Sequence, residues 1–375
     1  MKILLLAGEE SGVIYREKIA AKLREVRPDA EIRGYGDYGF KTGDLAVMGI
    51  FQVLRKIRYF LGVKRTMERA IDEWKPDLLC TIDYPGLNLK LAAYAKARGI
   101  RAVHVVCPQV WAWHQGRIPR IERSLDTICC FFPFEPKLFR PGLGVFVGHP
   151  LVDEMNREAS SSSVEAVSHP LLAVLPGSRM AEIRHHMPKL LEAVAVLRRE
   201  IPGLRVAIPA ANAKAQKAIA AAVGDAPGIE ILAGGARDLL RRADAAVVAS
   251  GTATLEAGLA RCPTVLVYHV DLVFELICRI SLKGVKHIGL VNIVCEKLGA
   301  PCPMPELIQQ DFTVEKMLGY LRPWLTDPAA NAAARASLAD ASRLFQTDGD
   351  ALVRIAALVQ GRASPGSPVA RPGGH

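Results

Sequence analysis

Several things are missing from this sequence, and each absence closes off a class of protein. The eight cysteines are scattered, only Cys129 and Cys130 are adjacent, and no Cys-x-x-Cys pair occurs. Neither a zinc cage nor a disulfide framework is indicated, and a reduced, cytoplasmic setting is expected. No apolar run approaches the ~20 residues that a membrane-spanning helix needs. The opening stretch, Met1 to Ala7, is short and runs into Glu9 and Glu10, which predicts a first buried strand rather than a signal peptide. There is no tandem repeat and no signature of a nucleic-acid-binding module, so nucleic acid is not an expected partner.

What remains is the composition of a folded protein. Of the 375 residues half are hydrophobic and 23% charged, enough for two α/β domains with separate cores. The net charge of +10 points to an anionic partner. Apolar strand-like runs alternate with helical patterns along the chain, which predicts parallel sheets built from βαβ units. Residues 2–7, 31–34, 77–83, 101–107, 128–132 and 145–147 supply one set of strands. Residues 171–175, 205–208, 229–232, 245–249 and 264–268 supply another. Between them lies a polar, Ser-rich stretch around Ser160 to Ser163. The expected organisation is a first domain over 1–157, a linker over 158–169, and a second domain over 170–345. A closing helix over 346–362 and a disordered tail over 363–375 complete it. Gly34 to Gly39 matches G-x-G-x-x-G literally, but Phe40 to Asp44 follows where a dinucleotide fingerprint demands a helix, so it reads as a loop.

The chemistry concentrates where strands end. Ser250-Gly251-Thr252-Ala253-Thr254-Leu255-Glu256 lies between the apolar run 245–249 and a helix-like segment. A helix starting there would aim free N–H groups at the carboxyl end of a strand, a site suited to a phosphate or diphosphate. Glu256 would accept hydrogen bonds from a sugar or ribose; an ordinary capped helix has the same composition. Pro176-Gly177-Ser178-Arg179 repeats the strand–turn–helix pattern, with Arg179 either a diphosphate clamp or a surface residue. Asp83, at a strand end before Pro85-Gly86, is a candidate general base or a turn-capping residue. Trp111 and Trp113 are candidates for stacking on a sugar or base, or for the core. His149 ends the last strand of the first set, and Asn292 falls in a loop-like stretch.

A helix expected from about 49 to 74 carries an apolar stripe of Ile50, Val53, Leu54, Ile57 and Leu61, with Phe51, Tyr59, Phe60 and Val63 adding apolar surface beyond it, interleaved with Arg55, Lys56, Arg58, Lys64, Arg65 and Arg69. A basic, aromatic amphipathic helix suits an anionic membrane surface; a core helix with a solvated basic face would show the same pattern.

Together these motifs resemble those of the lipid-A-disaccharide synthase family. The matching residues are Ala7-Gly8-Glu9 with Ser11-Gly12, Leu45-Ala46-Val47-Met48-Gly49, Ile82-Asp83-x-Pro85 with Asn88, and Pro108-x-Val110-Trp111-Ala112-Trp113. They continue through Pro133-Phe134-Glu135, Val147-Gly148-His149, Leu175 to Arg179 with Glu182, Ala249 to Glu256, Asn292 and Pro305-Glu306-Leu307. The resemblance implies a GT-B fold, two doubly wound Rossmann-like domains facing a central cleft. It implies transfer of 2,3-diacylglucosamine from its UDP donor to the 6-hydroxyl of 2,3-diacylglucosamine 1-phosphate, with inversion to a β-1,6 linkage and release of UDP. No metal or other cofactor is implied. By the same resemblance Asp83 would be the base, and Arg179, Ser178, Ser250, Gly251, Thr252, Glu256 and Asn292 would hold the donor. Glu9, Ser11, Met48, Trp113 and His149 would line the acceptor side. Phe51, Leu54, Arg55, Lys56, Arg58, Phe60 and Leu61 would dock on an anionic membrane, placing the protein at the cytoplasmic face of the inner membrane. Two features depart from the family: Val13 stands where an aspartate is expected, and the loop before Leu45 is shortened.

Overall fold

Apolar runs too short for buried helices and rich in Leu, Ile and Val become the strands of two parallel sheets, whose inner strands are buried on both faces. The computed structural model describes residues 1–40, 57–112, 115–161, 170–269 and 286–361. Two compact units form, Met1–Pro150 with Thr347–His375, and Leu151–Gln346.

The first unit holds β1 (Lys2–Ala7), β2 (Glu31–Arg33), β3 (Leu78–Ile82), β4 (Arg101–Val105), β5 (Thr127–Cys130) and β6 (Gly144–Phe146). Their order is β2-β1-β3-β4-β5-β6, with every pair parallel. Chain order reverses between β1 and β3, whose last residues Ala7 and Ile82 are register partners. In an open α/β sheet such a reversal opens a crevice beyond the carboxyl ends of the strands. Glu9 and Asp83 follow those two ends.

The C-terminal helix Ala351–Val359 returns to this unit. Its N-terminus is capped by Asp350, which accepts from Leu352 N at 2.8 Å, and its buried Ile355 and Val359 join the core beneath β1. Arg101 donates to the carbonyls of Leu358 and Val359 at its other end, at 2.7 and 3.0 Å. Since this helix packs in the first unit, the units divide at Pro150/Leu151 and Gln346/Thr347, whereas the sequence drew the first boundary at residue 157. The helix Pro150–Ser161 continues through residues assigned to the linker because its buried Leu151, Val152 and Met155 pack inward.

The second unit holds β7 (Leu171–Leu175), β8 (Arg205–Ala210), β9 (Ile229–Ala233), β10 (Ala245–Ala249), β11 (Thr264–Tyr268) and β12 (Glu306–Ile308). The order β12-β11-β10-β7-β8-β9 places its reversal between β7 and β10, with Val248 opposite Leu175. The two turns singled out in the sequence therefore emerge side by side. Two parallel, doubly wound sheets are thus present. Among the described residues no helix is long and apolar enough to cross a membrane.

Candidate active site

At the switch point of the second unit lies a cavity of about 380 Å³. Ser178 and Arg179 from the turn after β7, and Ser250, Gly251, Thr252 and Glu256 after β10, line it together. Gly251, at φ 149°, precedes the helix Thr252–Leu259, and no side chain caps that helix. Its first N–H groups and its positive dipole end are left to whatever anion enters. Thr254 does not take part; its hydroxyl donates back to the Gly251 carbonyl at 2.8 Å.

The turn after β7 behaves differently from what its composition predicts. Glu182, in the first turn of the helix Met180–Glu200, folds back onto it. Its Oε2 accepts from Ser178 N at 3.1 Å and Arg179 N at 3.3 Å, and its Oε1 pairs with Arg179 Nη1 at 2.7 Å. The backbone donors of this turn are therefore already occupied. What the turn offers a ligand is the Ser178 hydroxyl and the outer face of the Arg179 guanidinium, whose side chain is 58% exposed. Gly177 makes the fold-back possible: it sits at φ 113°, and a Cβ there would lie 2.4 Å from Glu182 Oε2.

Asn292 does not join this cavity. It sits in a helix, Leu290–Leu298, rather than a loop, and it is fully buried. Its Nδ2 donates to Met304 O at 2.7 Å and Glu306 Oε1 at 2.8 Å, while its Oδ1 accepts from Met304 N at 3.2 Å. The amide is spent on holding Glu306, which in turn accepts from Ile288 N and Gly289 N ahead of the helix.

In the first unit the end of β3 is strained. Asp83 and Tyr84 hold φ values of 49° and 51°, and Val106, at the end of the neighbouring β4, holds 72°. Non-glycine residues cost about 1–3 kcal/mol each in such conformations, and clustered strain of this kind marks functional sites. Asn88 maintains it. Buried completely, Asn88 donates from Nδ2 to the carbonyls of Ile82 at 3.2 Å and Asp83 at 2.8 Å. Its Oδ1 accepts from the buried Tyr35 hydroxyl at 2.8 Å. Burial raises the pKa of Asp83, partly offset by the Tyr84 N–H that its Oδ1 accepts at 2.8 Å. Glu9 is raised too, by partial burial and then by the Asp83 carboxylate. Two carboxylates at one switch point, one held in a strained and desolvated turn, offer a group able to accept a proton.

A family model described as Lipid-A-disaccharide synthetase matches residues 3–340. The lipid-A-disaccharide synthase of Chromohalobacter salexigens is 37% identical over 348 residues, covering 87% of this chain and 88% of that one. The enzyme of the same name from Myxococcus xanthus is 36% identical over 342 residues, covering 86% and 87%. The chain belongs to the lipid-A-disaccharide synthase family. It is accordingly a glycosyltransferase of lipid A disaccharide synthesis. Solved structures share the fold at low identity. A putative UDP-N-acetylglucosamine 2-epimerase from Listeria monocytogenes superposes with a TM-score of 0.63 at 14% identity, covering 96% of each chain. The Neisseria meningitidis UDP-GlcNAc 2-epimerase bound to UDP-GlcNAc gives 0.60 at 10%, covering 96% of this chain and 99% of that one.

Other residues implied by the family motifs are placed less simply. Met48, Trp113, Phe51, Leu54, Arg55 and Lys56 lie outside the described residues, as does the side chain of Ser11. His149 is buried against Phe131 and Phe132, at ring separations of 5.0 and 5.9 Å. Trp111 is 8% exposed and meets Phe134 edge to face, so it serves the core. The helix Ile57–Trp74 buries Val63, Met67 and Ile71. Phe60 turns toward that core, packing on Tyr59, and Leu61 stays 48% exposed. Arg58, Arg65 and Arg69 share the exposed side with Leu61 at helical spacing.

Sequence reasoning overlooked several residues. Pro209 and Ala210 at the end of β8, Ala211 just after it, and Gly234 and Gly235 after β9 also line this cavity. A glycine pair directly after a strand was the available signal. His186, fully buried, bonds Pro176 O through Nδ1 at 2.8 Å and accepts from His269 N through Nε2 at 3.1 Å, anchoring the turn below Arg179. The cysteines are also less scattered in space than in sequence. Cys107, Cys130 and Glu135 place their ligand atoms within 4.8 Å of one another. Burial pushes Glu135 up to about 8 and raises Cys130, and the three buried side chains form a packed hydrogen-bonding cluster.

Proposed function

We propose that this chain joins UDP-2,3-diacylglucosamine to 2,3-diacylglucosamine 1-phosphate in one inverting displacement. The observation that carries the reading is the cavity at the β7/β10 switch point, where a guanidinium, an uncapped helix N-terminus and an inward carboxylate share one rim. A nucleoside diphosphate has complementary groups: two charged phosphates for Arg179 and the Thr252 helix end, and a ribose diol for Glu256. Asp83 takes the proton of the acceptor 6-hydroxyl as its oxygen forms the bond to the anomeric carbon. The bond from that carbon to the diphosphate breaks on the opposite face, and the departing charge is received by Arg179 and the helix dipole.

Raised by burial, Asp83 is a stronger base than an exposed aspartate. Glu9 stands beside it on the acceptor side. The exposed face of Arg58, Leu61, Arg65 and Arg69 would rest on an anionic bilayer at the cytoplasmic side of the inner membrane, from which acylated substrates are drawn. Incubation with both substrates in detergent, followed by mass spectrometry, tests the reading. Disaccharide 1-phosphate and UDP in equal amounts are expected, and their absence with UDP still bound would reassign the acceptor.

A further inference from the structure

Glu256 is not free to choose its orientation. Its side chain, 16% exposed, is held by Arg237, whose Nε donates to Glu256 Oε1 at 3.0 Å. Arg237 belongs to the short helix Ala236–Arg242, which starts directly after the Gly234-Gly235 pair on the cavity wall. Its Nη1 is shared between Glu154 Oε2 at 3.2 Å and Glu158 Oε1 at 3.1 Å, both on the helix Pro150–Ser161. Glu158 is itself steadied by Arg241 at 3.0 Å.

One planar guanidinium thus stands between three carboxylates on two separate helices. Without it, Glu256 would face the negative charges of Glu154 and Glu158 across the space that Arg237 now fills. A lysine could not replace it, because one ammonium cannot present the Nε and Nη1 edges to different partners at once.

We propose that Arg237 is a positioning residue that sets the Glu256 carboxylate to receive the hydroxyls of a nucleoside ribose. Arg237 touches no ligand in this scheme. Its bond falls on Oε1, so the carboxylate of Glu256, which lines the cavity, is oriented without being consumed. The inference rests on the reading that Glu256 engages the ribose of UDP, and the test separates the two.

The full-length protein is titrated calorimetrically with UDP and with 2′-deoxy-UDP, and the ratio of their affinities is read for each variant. Wild type is expected to favour UDP about tenfold, the value of one charge-assisted hydrogen bond. Glu256→Gln and Arg237→Gln should both bring the ratio close to one, mainly by weakening UDP, while 2′-deoxy-UDP affinity changes little. A purely structural role for Arg237 would weaken both ligands together and leave the ratio intact. Melting temperature checks that Arg237→Gln is folded; if it is not, Arg237→Lys carries the test and should fall to less than half the wild-type ratio. A folded Arg237 variant with the wild-type ratio, beside a Glu256→Gln that has lost it, overturns the proposal alone. Equal binding of the two nucleotides by wild type removes the ribose reading itself.

Discussion

The side-chain amide of Asn88 donates to the backbone carbonyl of Asp83 at 2.8 Å, fixing a strained turn from beneath. A second bond, to the Ile82 carbonyl, and the Tyr35 hydroxyl on its oxygen leave Asn88 one orientation. Asp83 therefore owes its direction to a residue that is itself fully buried.

Replacing Asn88 by Ala should release the turn toward an ordinary conformation and displace the Asp83 carboxylate. Turnover at saturating substrates should fall by about a hundredfold, the scale expected for misplacing a catalytic group by an ångström. UDP affinity, which the proposed reading places in the other unit, should be unchanged in the same preparation. Wild-type turnover in Asn88→Ala would show that the clamp serves stability only.

Asp83 must be ionised to act as a base, and burial raises its pKa above the ordinary 3.8. The kcat/KM profile should therefore lose activity on acidification with a midpoint above 3.8, earlier than an exposed aspartate would give. Asp83→Asn should abolish turnover while UDP still binds. A midpoint at or below 3.8, or surviving turnover in the variant, would remove Asp83 from the mechanism.

On the proposed reading Arg179 meets the diphosphate and not the nucleoside. Arg179→Ala should weaken UDP by about ten- to a hundredfold and uridine hardly at all. Equal weakening of the two ligands in competition binding would place Arg179 elsewhere.

Charge reversal of Arg58, Arg65 and Arg69 together should lower partitioning onto anionic vesicles by on the order of a hundredfold at low salt. The effect should shrink as salt rises. Sedimentation with phosphatidylglycerol vesicles measures it, and unchanged binding would assign the exposed face to another role.

Glu135 links stability to pH in a direction opposite to most carboxylates. Its folded pKa, about 8, lies above the ordinary 4.5 because of burial, so between those values the folded state holds a proton that the unfolded state has lost. This contribution is fully present below pH 4.5 and is lost as pH rises through 8, by on the order of 1 kcal/mol per unit. Glu135→Gln should flatten that dependence in denaturant melts. Parallel slopes for the two proteins would show that Glu135 ionises normally.

The sequence by itself was enough to establish two parallel α/β sheets and the turns that line the cavity of the second unit. Strands such as 245–249 are uniformly apolar, and small residues at 176–178 and 250–252 follow them at once, so local pattern and final position agree. Asp83, Arg179 and the Thr252 helix start could be located because a residue at the carboxyl end of a strand keeps that place whatever the rest of the fold does. Orientation and availability were another matter. Only the tertiary structure decided that Glu182 occupies the backbone donors beside Arg179, that Asn292 spends its amide on Glu306, and that Phe60 turns inward. It alone brought Arg237 to Glu256 and Glu154, and Cys107 to Cys130. Hydrogen-bond partners far apart in the chain meet through strand order, and strand order is set by packing of whole layers rather than by any local run of residues.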